Sequence, residues 1–211
     1  SAPKAAVLRH RHLTSYILQT VEFASSAPED AVLVSVPPYH VAGVGSALSN
    51  LYAGRRIVHL PDFDAGAWLR TVAEEGVTSA MLVPTMLARI VEHLKDEPVP
   101  VPTLRSLAYG GARMPPTVLE AALELFPHTG FVNAYGLTET SSTIALLSPE
   151  DHREAFASHD PRIRARLGSA GRMVPGLEAQ IRSTSGEVLP QGTGGELWVR
   201  GPQVSGEYRG A

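Results

Sequence analysis

Two hydrophobic periods alternate along the first two-thirds of the chain. Nearly continuous apolar or β-branched runs occupy residues 31–36, 56–60, 79–83, 105–109 and 130–134. Runs of that kind predict strands covered on both faces. Between them, apolar residues recur at helical spacing. Leu13, Tyr16, Ile17 and Val21 mark one helix, and Trp68, Leu69, Val72 and Ala73 a second, with Asp64 placed to cap it. Met86, Leu87, Ile90, Val91 and Leu94 form a third stripe. Val118, Leu119, Ala122, Leu123 and Phe126 form a fourth, led by Pro116, a residue favoured in a first helical turn. Strand–helix–strand alternation with short connections predicts an α/β fold, a doubly wound and mostly parallel sheet flanked by helices.

From about Pro149 the texture changes. Residues 148–166 are polar and charged and read as a surface excursion. Short strands are then expected at 177–182, 187–189 and 196–200, joined by Ser185-Gly186 and Gly192–Gly195 turns, as a small antiparallel β unit. Pro98, Pro100 and Pro102 make a stiff connector. The expected division is 1–147, 148–170 and 171–211.

Composition narrows the class. Of 211 residues, 44% are hydrophobic and 18% charged, the balance of a soluble globular chain with a real core. A formal charge of −3 gives no electrostatic reason to expect nucleic acid as a partner. Zero cysteines exclude disulfides, thiolate metal sites and a cysteine nucleophile, which fits a reducing compartment, the cytoplasm. No apolar stretch is long enough to span a bilayer. Nothing in the string specifies an oligomeric state.

In open α/β sheets ligands bind beyond the carboxyl ends of the strands. The segments after the expected strands are Pro37-Pro38-Tyr39-His40-Val41-Ala42-Gly43, Pro84-Thr85, Gly110-Gly111-Ala112 and Tyr135-Gly136-Leu137-Thr138-Glu139-Thr140. Order alone gathers them along one edge as a crevice. Gly110-Gly111 reads as a tight turn, or as backbone that lets a flat ligand approach. Glu139 reads as an acidic residue at a helix start, or, beside Thr138, as a hard oxygen ligand for a divalent cation and phosphate. Tyr135 fits a core position as well as a ligand wall, and His40 reads first as a satisfied structural histidine. His10 and His12 share one side of an extended segment without a third ligand. Arg162, Arg164 and Arg166 read as a solvated loop.

Taken together, these stretches resemble the acyl-adenylate-forming superfamily of acyl-CoA synthetases, peptide-synthetase adenylation domains and beetle luciferases. Asn133-Ala134-Tyr135-Gly136-Leu137-Thr138-Glu139 resembles the family's Tyr-Gly-x-Thr-Glu signature. Tyr109-Gly110-Gly111-Ala112 is similar to its adenine-side loop. Pro3-Lys4 through His10-Arg11-His12-Leu13 is similar to the segment trailing the glycine-rich phosphate loop. Gly168-Ser169-Ala170-Gly171-Arg172 with Val174-Pro175-Gly176, and Gly194-Gly195-Glu196-Leu197-Trp198-Val199-Arg200-Gly201, match two further landmarks in order. Five ordered motifs cover essentially the whole chain.

The resemblance implies ATP, Mg²⁺ and coenzyme A as cofactors and a carboxylic acid as substrate. It implies that 1–147 is an adenylate-binding subdomain and that both ends are incomplete. Gly110, Gly111, Ala112, Asn133, Ala134, Tyr135 and Gly136 would surround adenine, with Tyr135 stacked on the ring. Thr138 would hydrogen-bond a phosphate and Glu139 would hold Mg²⁺, the two carrying the chemistry. His40, Val41 and Gly43 would border the acyl pocket. The reaction is in-line attack of a carboxylate oxygen on the α-phosphate, then thiol attack on the acyl-adenylate. Amino-acid-activating relatives place an aspartate after the first strand, where this chain has Tyr39-His40, so a fatty or other non-amino acid is expected. The phosphate loop, the ribose-binding aspartate and the catalytic lysine of the family have no match here. Lys4 belongs to the loop's tail and Lys95 to a helix, so this chain alone is expected to be inactive. A carrier-protein thiol as acceptor, or a non-catalytic nucleotide-binding module, remain the alternatives.

Overall fold

The computed structural model describes residues 5–209. Strands β1 (Ala31–Val34), β2 (Arg56–His59), β3 (Ser79–Leu82), β4 (Ser106–Gly110) and β5 (Gly130–Leu137) lie parallel in the order β2-β1-β3-β4-β5. Two antiparallel strands, β6 (Ser142–Leu147) and β7 (Arg172–Met173), extend the sheet beyond β5. A separate antiparallel pair, β8 (Glu178–Arg182) and β9 (Glu196–Arg200), follows.

The strand order reverses between β1 and β3. Helix α1 (His10–Thr20) precedes the sheet, and α2 (Val41–Tyr52) carries the chain one way, from β1 to β2. Helices α3 (Ala65–Glu74), α4 (Pro84–Asp96) and α5 (Pro116–Leu125) carry it back the other way. Right-handed crossovers therefore put α2 on one face and α3, α4 and α5 on the opposite one. The α3–α5 face is the core, where Leu33, Leu82, Leu107 and Phe131 meet Trp68 and Leu69 of α3, Leu87 and Ile90 of α4 and Leu119 of α5. Each such side chain withdrawn from water contributes about 1.5–3 kcal/mol. Asp64 caps α3 as expected, its Oδ1 accepting from the Ala67 N–H at 2.8 Å. The other face carries Met81 and the smaller Ser79, Ser106 and Ala108, which stay half-buried beside α1 and α2.

Four sequence expectations change. No strand forms at 187–189, where Val188 makes only an isolated bridge to Arg182. β5 does not stop at Ala134 but runs to Leu137, because β6 returns alongside it and supplies the missing ladder partners. The polar stretch 148–166 contains α6 (Pro149–Ala157) and α7 (Pro161–Arg164), and α6 buries His152 and Ala155 completely. The segment around His10 and His12 is the first turn of α1 rather than extended chain, and His12 Nδ1 accepts from the Arg9 N–H at 3.2 Å.

His152 fastens α6 to the sheet. Its Nδ1 lies 2.8 Å from the Ser148 carbonyl oxygen and its Nε2 2.8 Å from the Tyr109 hydroxyl. A carbonyl only accepts, so Nδ1 carries the proton and Nε2 accepts from Tyr109. Burial pushes the His152 pKa down and the Tyr109 pKa up, so both stay neutral. Tyr109 immediately precedes Gly110-Gly111, and the pair thereby anchors the strand that delivers that loop.

Candidate active site

The carboxyl ends of β4 and β5 open onto a cavity of about 340 Å³. Gly110, Gly111, Ala112, Asn133, Ala134, Tyr135 and Gly136 all line it, so the residues expected around adenine meet there, while Thr138, expected at a phosphate, does not line it. Tyr135 is a partly exposed wall, not core. Gly111 sits at φ +82°, a conformation open to glycine at little cost. A Cβ on Gly110 would lie 2.3 Å from the Ala134 carbonyl oxygen, and one on Gly136 1.9 Å from that of Ser142. The glycines thus let β4, β5 and β6 approach closely beneath the cavity. Gly168, Ser169 and Ala170 close the far wall, held by the Asn133 amide donating to the Ser169 carbonyl at 2.9 Å. In the sequence these three form a landmark without a role; Arg113 and Met114, also on the wall, carry no signal beyond following the paired glycines.

A second cavity of about 220 Å³ shares Gly111, Ala134, Gly136 and Leu137 with the first, so the two form one crevice. Thr138 and Glu139 line it, as do His40 and Val41. His40 also caps α2, its Nδ1 accepting from the Ala42 N–H at 3.2 Å, so it is structurally engaged and faces the crevice. Gly43 does not line it. It is buried against the Pro37 carbonyl, which a Cβ would meet at 2.3 Å, so its role is to let α2 pack on the preceding turn. Pro84 is likewise buried, at the first position of α4.

Thr138 and Glu139 sit on a single helical turn, Thr138–Thr140, between β5 and β6. The Leu137 N–H donates to Thr140 Oγ1 at 2.9 Å, so the hydroxyl of Thr140 caps the turn. The turn closes through Ser141 at φ 58° and Ser142 at φ 143°. Such conformations in non-glycine residues cost on the order of 1–3 kcal/mol each and persist only where neighbours over-determine them. Here the neighbours belong to residues 203–208. Fully buried Gln203 donates its amide to the Thr140 and Thr143 carbonyls at 2.9 and 3.0 Å, and Ser141 Oγ donates to the Gln203 carbonyl at 2.8 Å. The Ser205 N–H donates to the Glu139 carbonyl at 2.7 Å. The Tyr208 hydroxyl donates to Glu139 Oε1 at 2.7 Å, and that bond raises the tyrosine's pKa. Residues 5–9 pair with the same segment through Val7 N–H to the Glu207 carbonyl, Arg209 N–H to the Ala5 carbonyl, and an Arg9–Glu207 ion pair. No sequence motif pointed to Gln203 or Tyr208, because their partners are more than sixty positions away.

Among the described residues no group of three or more His, Asp or Glu side chains could hold a metal ion. A single carboxylate beside a hydroxyl still fits Mg²⁺, which is usually held by one or two carboxylates together with substrate phosphates and water. Arg162, Arg164 and Arg166 pair with Asp160, Glu120 and Glu154 and lie outside the crevice. No helix among the described residues is long and apolar enough to cross a membrane.

Comparison with known proteins places the chain. The model of the AMP-binding enzyme family matches residues 1–209. A 4-coumarate–CoA ligase-like protein of Oryza sativa subsp. japonica is 34% identical over 97% of this chain and 36% of its own length. A feruloyl-CoA synthase from Amycolatopsis sp is 32% identical over 99% of this chain and 40% of its own. Among solved structures, o-succinylbenzoate coenzyme A synthetase from Bacillus subtilis, in complex with ATP and magnesium ion, superposes with a TM-score of 0.81 at 26% identity, covering 99% of this chain and 40% of that one. The amide bond synthetase McbA from Marinactinospora thermotolerans superposes with a TM-score of 0.83 at 29% identity, covering 98% and 39%. The chain thus spans well under half the length of these relatives.

Proposed function

The chain belongs to the AMP-binding enzyme family, and from that premise we propose that it is part of an ATP-dependent carboxylate–CoA ligase. The full-length protein activates a fatty or other non-amino carboxylic acid as its acyl-adenylate and transfers the acyl group to coenzyme A, in the cytoplasm. One observation carries the reading. A single crevice brings Tyr135, the Gly110-Gly111-Ala112 loop, Thr138 and Glu139 together with His40 at the carboxyl edge of the sheet.

In this reading the Tyr135 ring stacks on adenine, and the glycine loop lies against the opposite side. The Thr138 hydroxyl donates to a phosphate oxygen, and the Glu139 carboxylate holds Mg²⁺. The metal, when bound, neutralises charge on the phosphates and the departing pyrophosphate. His40 and Val41 border the acid, whose carboxylate oxygen attacks the α-phosphorus as the bond to pyrophosphate breaks. These groups position and neutralise; none forms a covalent intermediate. Coenzyme A is favoured as acceptor by relatives at 31–34% identity named as CoA ligases or synthases, above the 29% of the amide bond synthetase. The test is acid-dependent ATP–pyrophosphate exchange by the full-length protein, followed by thioester formation with coenzyme A or a carrier-protein thiol, or amide formation with an amine. Exchange supported by amino acids alone, or by no acid, refutes the reading.

A further inference from the structure

A third cavity, of about 300 Å³, continues from the crevice. It shares Ala42, Met81, Ser142 and Thr143 with the cavity that holds Glu139, so the two are contiguous. From there it descends between α2 and the half-buried face of the sheet. Helix α2 runs antiparallel to the strands, and the cavity follows it from Ala42 at the mouth to Ser49 and Asn50 at the floor. Seven residues of helix rise make that path about 10 Å long.

Mouth and floor differ in chemistry. Met81, Ala108, Val132 and Ala134 give an apolar middle. Around the floor, Ser49 Oγ, Ser79 Oγ and Arg55 Nε are buried without a hydrogen-bond partner among the described residues. Among the described residues Arg55 makes one side-chain bond, from Nη1 to Asn50 Oδ1 at 2.6 Å, and that partner is neutral. No ion pair among the described residues includes Arg55. Buried polar groups in native proteins are nearly always satisfied, so three unsatisfied groups around one floor point to something that occupies it. A guanidinium with an unsatisfied Nε–H, lining the same cavity as two unpartnered hydroxyls, suits an anionic oxygen acceptor.

Building on the ligase reading above, we propose that this cavity takes the acyl part of a dicarboxylic acid. The carboxylate to be activated stays at the mouth beside Glu139, and the second carboxylate is bound at the floor by Arg55, Ser49 and Ser79. Arg55 is then a specificity-determining residue.

The experiment compares octanoic, hydroxyoctanoic and octanedioic acids, and phenylpropanoic acid with its para-carboxy derivative, in ATP–pyrophosphate exchange by the full-length protein. The diacid is expected to exceed the matched monoacid in kcat/KM by roughly 10- to 100-fold, the worth of a charged hydrogen bond, expressed mainly in KM because the floor lies remote from the reacting atoms. In Arg55→Leu that ratio is expected to fall close to one. Because the ratio is read within each variant, a general loss of activity cancels. Should Arg55→Leu fail to fold, Ser79→Ala removes one donor that has no bonded partner among the described residues, and a partial fall in the same ratio is expected. Equal rates for monoacid and diacid, a hydroxy acid matching the diacid, or an advantage that survives in these variants would each overturn the proposal. No exchange with any acid would instead remove the ligase reading beneath it.

Discussion

Replacing Glu139 by glutamine in the full-length protein separates a metal ligand from a structural carboxylate. Glutamine keeps the shape and an Oε1 that accepts from the Tyr208 hydroxyl, so the 2.7 Å contact survives as a neutral hydrogen bond. Losing the charge from that bond costs about 1 kcal/mol, and the melting temperature should fall by no more than ~2–4 °C. The helical turn itself is capped by Thr140, so it does not depend on the carboxylate's charge. Turnover should respond quite differently. By analogy with the loss of one preorganised electrostatic group, kcat should drop on the order of 10²-fold or more, nearly 3 kcal/mol of barrier. Adenine binding should change little, and raised Mg²⁺ should restore part of the rate. Exchange kinetics across a Mg²⁺ titration, with thermal melting on the same preparation, measure both. The companion Tyr208→Phe removes the hydrogen bond and keeps the charge, so it should cost far less in kcat. Near-normal kcat and ordinary Mg²⁺ dependence in Glu139→Gln would refute the assignment.

Two further outcomes follow from the geometry. Burial holds His152 neutral and lowers its pKa, so below about pH 6.5 the unfolded chain binds a proton that the folded one does not, and stability falls as pH drops through that value. Urea midpoints measured across it should show a shallower decline in His152→Gln; His12, also lowered by burial, supplies part of what remains. Gly136→Ala would set a Cβ 1.9 Å from the Ser142 carbonyl; overpacking of this kind costs about 3 kcal/mol, a melting drop on the order of 10 °C, readable by calorimetry, and an unchanged melting temperature would contradict the close approach of β5 and β6.

The parallel half of the sheet was legible because each strand is an apolar run and each crossover helix carries its own stripe. Tyr135, Thr138 and Glu139 stood out as candidates through their place after such a run, and the structure sets them along one crevice. Strand β6 was not. It follows β5 through Ser141 and Ser142, which adopt positive φ without the glycine that announces a tight turn. Helix α6 was hidden for a related reason. Its surface is charged, and its deepest residue is a histidine whose acceptance into the core depends on Tyr109, 43 positions earlier. The same distance problem concealed Gln203 and Tyr208: their importance lies in partners that only tertiary structure supplies. Gly43 illustrates the converse, since its place in a recognised stretch suggested a pocket, whereas the backbone of Pro37 claims the space.

The pairing of residues 5–9 with 205–209 beside Glu139 has a consequence for the order in which the protein is made. Translation at roughly 5–20 residues per second brings Tyr208 out seconds after Glu139, which lies 69 positions earlier. Until then the parallel strands and their helices can assemble, but the Thr138–Thr140 turn lacks the bonds that hold its two left-handed serines. Closing so long a loop is a late event in folding. The nascent chain therefore passes through a stage with a formed sheet and an unset Thr138–Thr140 turn. A single proteolytic cut between β9 and Tyr208 should return the mature protein to that stage, silencing the site while the core endures.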